Sequence, residues 1–106
     1  MEWQVEFFNG SVRNEIWKWP AGIRANLVRI VERMSIYGPN LGMPYTRPFG
    51  RGLFEIRAKG QEGIGRAFFC MTAGRRIVIL HGFIKKTDKT PRKELNLAIR
   101  RMHEVK

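Results

Sequence analysis

The 106-residue chain has the length of one domain, and we expect a single domain over residues 1–106. It has one cysteine, which excludes an intrachain disulfide, and no apolar run near the roughly 20 residues that span a membrane. Its N-terminus lacks the pattern of a signal peptide, so we expect a cytoplasmic protein.

The basic residues are concentrated in the second half of the chain. The formal net charge is +11, and residues 51–106 hold fourteen Lys and Arg against five Asp and Glu. This excess of positive charge in the second half implies an anionic partner, which can be nucleic acid, an acidic protein or a membrane surface. Nucleic acid is favoured over a membrane because the basic residues fall mainly on predicted strands and loops.

The first half predicts one strand and two helices. Residues 3–8 alternate in polarity as a strand does, and Ser11 is a candidate N-cap for a short helix that stops at Pro20. A second helix ends at Gly38, and residues 38–52 form a long loop rich in Gly and Pro. The second helix has helically spaced apolar residues at Ile23, Leu27, Ile30, Val31 and Met34.

The second half predicts three strands and a helix. The strands cover residues 53–59, 64–72 and 76–84, and turns that contain glycine separate them. Thr90 can cap the last helix with Pro91 at its first position. The apolar stripe of that helix is Leu95, Ala98, Ile99, Met102 and Val105.

The element order β-α-α-β-β-β-α predicts an α+β fold. We expect a small, mostly antiparallel four-stranded sheet with the helices packed on one face and the other face partly open. Strand alternation places Arg57, Lys59, Arg66 and Phe68 together on that open face.

These residues suit metal-independent cleavage of RNA by its own 2′-hydroxyl. That reaction needs a base, an acid and cations that stabilise the charge on phosphorus. His81, at the end of an apolar strand, carries an imidazole, the side chain type that most often transfers protons near neutral pH, and either His81 or Lys59 is the candidate for proton transfer. The candidate cations are Arg57, Arg66, Lys85 and Lys86.

Other candidates extend this surface, and each has a structural alternative. The further RNA-binding candidates are Lys59, Phe68, Phe83, Lys89 and Arg92. His81 can equally be a hydrogen-bonded structural histidine, the two phenylalanines can be core residues, and the cations can be solvated surface charges. The scattered acidic residues and the absence of a phosphate-binding glycine motif give no reason to expect a metal or a cofactor.

Four segments carry a family resemblance: residues 41–44, 52–57, 66–69 and 79–91. The last, ILHGFIKKTDKTP, is the most specific. Together they resemble the RelE/HigB superfamily of type II toxins, and most closely its phage-derived host-inhibition branch. Phe54 stands where that family commonly has Tyr, and Ala67 where it commonly has Val. The C-terminal catalytic Tyr of some members has no counterpart.

The resemblance implies a RelE-like fold and a toxin that cleaves mRNA on the translating ribosome. The products would carry 2′,3′-cyclic phosphate and 5′-hydroxyl ends, and no metal or cofactor is implied. The partners would be mRNA, the ribosome and a cognate antitoxin in a hetero-oligomer. Arg57, Arg66, His81, Lys85 and Lys86 match basic motif positions of the family.

Two other functions use the same charges. The main alternative is a non-catalytic basic module that binds RNA or the ribosome. A DNA-binding regulator is weaker, because the two helices before residue 38 carry little net charge. If the nuclease hypothesis holds, we expect Arg66→Ala to abolish growth inhibition without unfolding the protein.

Overall fold

Five strands and three helices form the fold in the computed structural model, which describes residues 2–86 and 89–106. The strands are β1 (Gln4–Phe7), β2 (Thr46–Gly50), β3 (Leu53–Gly60), β4 (Gly63–Thr72) and β5 (Arg76–Ile84). The helices are α1 (Gly10–Trp17), α2 (Ala21–Tyr37) and α3 (Arg92–Val105). The predicted α+β class is confirmed. None of the described helices combines the length and apolar character that crossing a bilayer requires.

The sheet has the strand order β1-β5-β4-β3-β2. Only β1 and β5 run parallel among these neighbours, and the other pairs are antiparallel. The prediction of four strands missed β2, which lies inside the segment interpreted as a loop. Pro48 and Gly50 hid it, because both residues are typical of loops, whereas an edge strand such as β2 tolerates them.

Helices cover both faces of the sheet. On one face α1 and α2 bury residues such as Ile16, Leu27 and Phe69. On the other face, Ala98 and Met102 of α3 belong to a second core. That core also contains Leu53, Phe68, Cys70, Val78 and Leu80. The prediction that all helices share one face is therefore wrong for α3, because apolar side chains on the second face also need cover from water.

The two helix starts also differ from the prediction. α1 is capped by Asn9, whose side-chain oxygen accepts a 2.9 Å hydrogen bond from the Val12 amide, and not by Ser11. α3 has Pro91 at its N-cap, and no side chain caps it. The Thr90 hydroxyl accepts a hydrogen bond from Arg66 instead, so a tertiary contact replaces the local cap.

Two glycines make room for Trp19 at one end of the sheet. A Cβ at Gly65 would lie 2.5 Å from Cζ3 of Trp19, and a Cβ at Gly82 would lie 3.0 Å from Cζ2. Trp19 is 5% exposed. The indole thus lies directly on β4 and β5, and it fixes the corner between α1 and α2 against the strand ends that lead to the basic segment.

Glu62, in the hairpin between β3 and β4, caps the N-terminus of α2. Its Oε2 accepts a 3.0 Å hydrogen bond from the Gly22 amide, where the N-cap residue Pro20 supplies no side-chain bond. The amide of Gly22 contributes most to holding the pKa of Glu62 below its ordinary value of 4.5. A negative charge also suits the positive end of a helix dipole.

Folding stability should therefore depend on the ionisation of Glu62. Because the folded state lowers this pKa, the stabilisation is fully present above the ordinary value of 4.5 and is lost as the pH falls through the folded value. We expect wild type to melt above Glu62→Gln at pH 7 and the difference to shrink towards pH 3. Thermal unfolding across that range measures it; a difference that does not change with pH would contradict the cap.

Candidate nucleic-acid interface

The second face of the sheet is covered by α3 at one end and displays basic residues at the other. Arg57 on β3 pairs with Arg66 on β4, which pairs with Phe83 on β5. In the next row Lys59 pairs with Ile64, whose carbonyl accepts a 2.8 Å hydrogen bond from the Lys85 amide. We call the four cations of these two rows, Arg57, Lys59, Arg66 and Lys85, the basic face.

The cations of the basic face differ in their access to solvent. Lys59 is exposed, and Arg57 and Lys85 are partly buried. Arg66 is only 3% exposed. Three of the four predicted cations on this face can therefore meet a ligand directly, whereas Arg66 lies beneath the surface.

Arg66 belongs to a buried ion pair. Its Nε lies 3.5 Å from Oε2 of Glu55, which is 0% exposed, and its Nη1 donates to the Thr90 hydroxyl. On the far side Arg47 donates a 2.9 Å hydrogen bond from Nε to Oε1 of Glu55. The Glu55 carboxylate thus neutralises charge between two arginines, and Arg66 ties the segment before α3 to the sheet.

His81 lies beside the basic face, next to a β-bulge. Phe68 pairs with His81 and Phe69 pairs with Ile79, so Leu80 is the extra residue. Arg101 of α3 donates a 2.8 Å hydrogen bond to the Leu80 carbonyl. The irregularity directs both Leu80 and His81 towards the face that α3 covers.

A carboxylate of α3 holds the imidazole. His81 Nε2 lies 2.8 Å from Oε1 of Glu94, and the two side chains are 15% and 27% exposed. Because a carboxylate accepts hydrogen bonds, Nε2 carries the proton in this contact and the second ring nitrogen is left for other chemistry. Glu94 was not among the predicted site residues. Its signal in the sequence was an acid in the first turn of a helix that follows the histidine closely.

The predicted stacking residues are mostly core. Phe68 is 0% exposed and packs between the rings of Phe49 and Phe83, at centroid distances of 5.3 and 5.9 Å. Phe68 therefore offers no surface on which a base could stack, and its prediction as an RNA contact is wrong. The reason is that Phe68 belongs to the second core, which α3 covers. Phe83 is 8% exposed, and its ring lies 6.0 Å from that of His81.

The remaining predicted cations lie around the connection to α3. Lys86, Lys89 and Arg92 are exposed. Residues 87 and 88, which belong to the motif between them, lie outside the described residues. Lys86 and Glu94 also line a cleft of about 430 Å³ between this connection and the corner of α1 and α2.

Two other chemistries find no support in the described part of the chain. No group of three or more His, Cys, Asp or Glu side chains is placed to hold a metal ion among residues 2–86 and 89–106. Burial raises the pKa of the Cys70 thiol, and this residue lies in the second core. A protonated, buried thiol is a poor nucleophile, so Cys70 serves packing.

Comparison with known proteins identifies the family of the chain. The family model described as Phage derived protein Gp49-like matches residues 14–103. The chain belongs to this family. It is a RelE/HigB-like toxin family, so the resemblance found in the sequence is confirmed. No curated protein matches the sequence significantly.

The fold resembles that of a solved toxin. A double arginine-to-alanine mutant of the E. coli toxin RelE, in the free state, superposes with a TM-score of 0.60. The alignment covers 96% of this chain and 99% of the RelE chain at 14% sequence identity. At that identity the match establishes the RelE-like fold, and the roles of individual residues rest on the geometry of the Gp49-like chain itself.

Proposed function

We propose that this Gp49-like protein is the toxin of a type II toxin–antitoxin pair and cleaves mRNA on the translating ribosome. The observation that carries the proposal is the placement of the His81–Glu94 pair at the margin of the basic face. An imidazole, its positioning carboxylate and several accessible cations thus lie on one side of the sheet. These are the groups that cleavage by the RNA 2′-hydroxyl requires.

Accessible cations would bind the phosphate. Arg57, Lys59 and Lys85 sit in adjacent rows of the sheet, and Lys86 follows on the same strand end. Arg57 and Lys59 start from a strand, which limits the reorganisation needed before they stabilise developing charge. One such donor is worth about 10²–10³-fold in rate.

The buried Arg66 would act mainly by position. Its contacts with Glu55 and Thr90 hold the start of α3, and therefore Glu94, in place relative to the sheet. The sequence-based prediction that Arg66 grips the scissile phosphate remains a prediction. In the described conformation its guanidinium is buried and contacts Glu55 and Thr90 inside the protein.

His81 would move the protons. In the first half of the reaction the free ring nitrogen takes the 2′-hydroxyl proton, O2′ attacks phosphorus and the bond to O5′ breaks. The imidazolium or a water molecule then returns a proton to O5′, which leaves a 2′,3′-cyclic phosphate and a 5′-hydroxyl. Glu94 is a positioning residue, since its contact with Nε2 fixes which ring nitrogen faces the RNA.

A synthetic mRNA with one 2′-deoxynucleotide tests this chemistry directly. In a reconstituted translation system, the protein should cut the all-ribose message at defined sites and spare a site whose upstream nucleotide lacks the 2′-hydroxyl. The loss should be complete, because the nucleophile is absent. Cutting that continues at the deoxy site would rule out 2′-hydroxyl attack, and cutting of the same message without ribosomes would rule out ribosome dependence.

A non-catalytic binder is the second candidate. It is favoured by the internal partners of Arg66 and His81, because hydrogen-bonded interior groups are what a purely structural role needs. A binder would stop translation of the same message without shortening it. In both cases an acidic antitoxin that covers the basic face would compete with RNA. The location of the protein in the cytoplasm remains a prediction.

A further inference from the structure

The part of β5 that carries His81 has less support from the sheet than the rest of the strand. β1 pairs with β5 only as far as Phe7 opposite Ile79, and the Phe8 amide then donates a 2.8 Å hydrogen bond to the Ile79 carbonyl. One residue later the bulge at Leu80 interrupts the pairing with β4 on the other side. The backbone just before His81 therefore depends on contacts from outside the sheet.

Arg101 of α3 contacts the chain at this point. Its Nη1 donates a 2.8 Å hydrogen bond to the Leu80 carbonyl, and its Cζ lies 5.2 Å from the centroid of the Phe8 ring. Leu80 is fully buried. The extra residue of a bulge lies outside the regular ladder, so its polar backbone groups need partners from elsewhere. Arg101 supplies such a partner where β1 has ended.

The same face of α3 also holds the imidazole of His81. Glu94 and Arg101 are seven residues apart, which is close to two turns of an α-helix, so their side chains leave α3 on the same side. Glu94 contacts the ring of His81, and Arg101 contacts the backbone of the residue before it. One helix thus fixes His81 at two points, the ring through a carboxylate and the main chain through a guanidinium.

We propose that Arg101 is a positioning residue for the cleavage reaction and acts through His81. The Leu80 carbonyl and the His81 amide belong to one peptide group. Because that group is planar, a hydrogen bond at its oxygen fixes the orientation of the plane from which His81 starts. The direction of the free ring nitrogen depends on this orientation. The catalytic role rests on the proposed nuclease function, but the effect of Arg101 on the imidazole can be tested without it.

Nitrogen NMR of the imidazoles in the whole protein, with the rings neutral, provides that test. In wild type the His81 ring should show two well-separated nitrogen shifts, with the proton fixed on Nε2 by Glu94. Arg101→Met keeps an apolar stem but removes the donor, so the two shifts should move towards the average of exchanging tautomers. Arg101→Lys keeps a donor and should restore most of the separation, and Arg100→Met, exposed on α3, should match wild type. An unchanged His81 ring in folded Arg101→Met would overturn the proposal.

Single-turnover cleavage of a ribosome-bound message tests the catalytic role. Arg101→Met should cut about 10–100-fold more slowly, the range that a misplacement of about 1 Å costs, and Arg101→Lys should recover most of the rate. In a His81→Asn background Arg101→Met should have no further effect, because the group through which it acts is gone. An equal loss in both backgrounds would overturn the proposal and leave the nuclease intact. The expected change at the imidazole without any cleavage by wild type would support the effect of Arg101 on His81 and overturn the proposed function.

Discussion

Glu55→Gln is expected to destabilise the protein by about 3–5 kcal/mol, because it leaves the buried Arg66 guanidinium without its carboxylate. That loss is a large part of the total of about 5–15 kcal/mol typical of small domains. Urea unfolding measures the change, with Glu32→Gln, an exposed glutamate on α2, as the matched control. Wild-type stability in Glu55→Gln would contradict the buried pair.

A double variant distinguishes the ion pair from simple packing. Hydrophobic residues often replace a buried pair at little cost, so Glu55→Leu with Arg66→Met should recover most of the stability that Glu55→Gln loses. Arg47, which is 37% exposed at its side chain, can be solvated when its partner is gone. Arg66→Ala should also be destabilised, because it leaves the buried Glu55 carboxylate without Arg66. A loss of activity in this variant would therefore not by itself place Arg66 at the phosphate.

His81→Asn is expected to lower RNA cleavage by about 10²–10⁴-fold, the usual contribution of a positioned proton-transfer group. Its partner gives a sharper test. Glu94→Ala should lose much of the same activity, whereas Glu94→Gln should retain more of it, because the amide oxygen can still accept the hydrogen bond from Nε2. Single-turnover cleavage of a ribosome-bound message measures all three variants.

The second histidine supplies the control for this set. His103 is exposed on α3, and His103→Asn should cleave as wild type does. Equal activity in His81→Asn and wild type, with both proteins folded, would remove His81 from the mechanism. If Glu94→Gln and Glu94→Ala were equally impaired, the role of Glu94 would depend on its charge, not on its hydrogen bond.

Regular patterns in the sequence predicted most of the fold. Strand alternation placed Arg57, Lys59 and Arg66 on one face correctly. Successive side chains of a strand face opposite sides of the sheet, so burial of Ile56 and Ala67 in the first core fixes the face of their neighbours. The position of α3 could not be predicted in this way. Its apolar stripe shows that it packs on something, whereas the choice of face depends on Phe68, Cys70 and Leu80 across other strands.

The site was harder to predict, because it also depends on contacts between residues that are distant in the sequence. Residue type alone makes Arg66 a phosphate ligand, but its burial follows from Glu55 on the neighbouring strand and Thr90 beyond the next one. The His81–Glu94 contact depends on a bulge, which shifts the register by one residue and has no local signal in the apolar run. Tertiary contacts, and not the charged motif itself, determine which cations have a structural role and which are accessible to a ligand.

The most direct test of the account is a map of cellular RNA 5′ ends after expression of wild type and of Arg57→Ala/Lys85→Ala. This pair removes two accessible cations and leaves the Glu55–Arg66 pair intact. Arg13→Ala/Arg29→Ala, exposed on α1 and α2, removes the same charge elsewhere. We predict new 5′-hydroxyl ends inside translated frames for wild type and the control and few for the folded basic-face variant; equal cutting by all three, or none by wild type, would contradict the account.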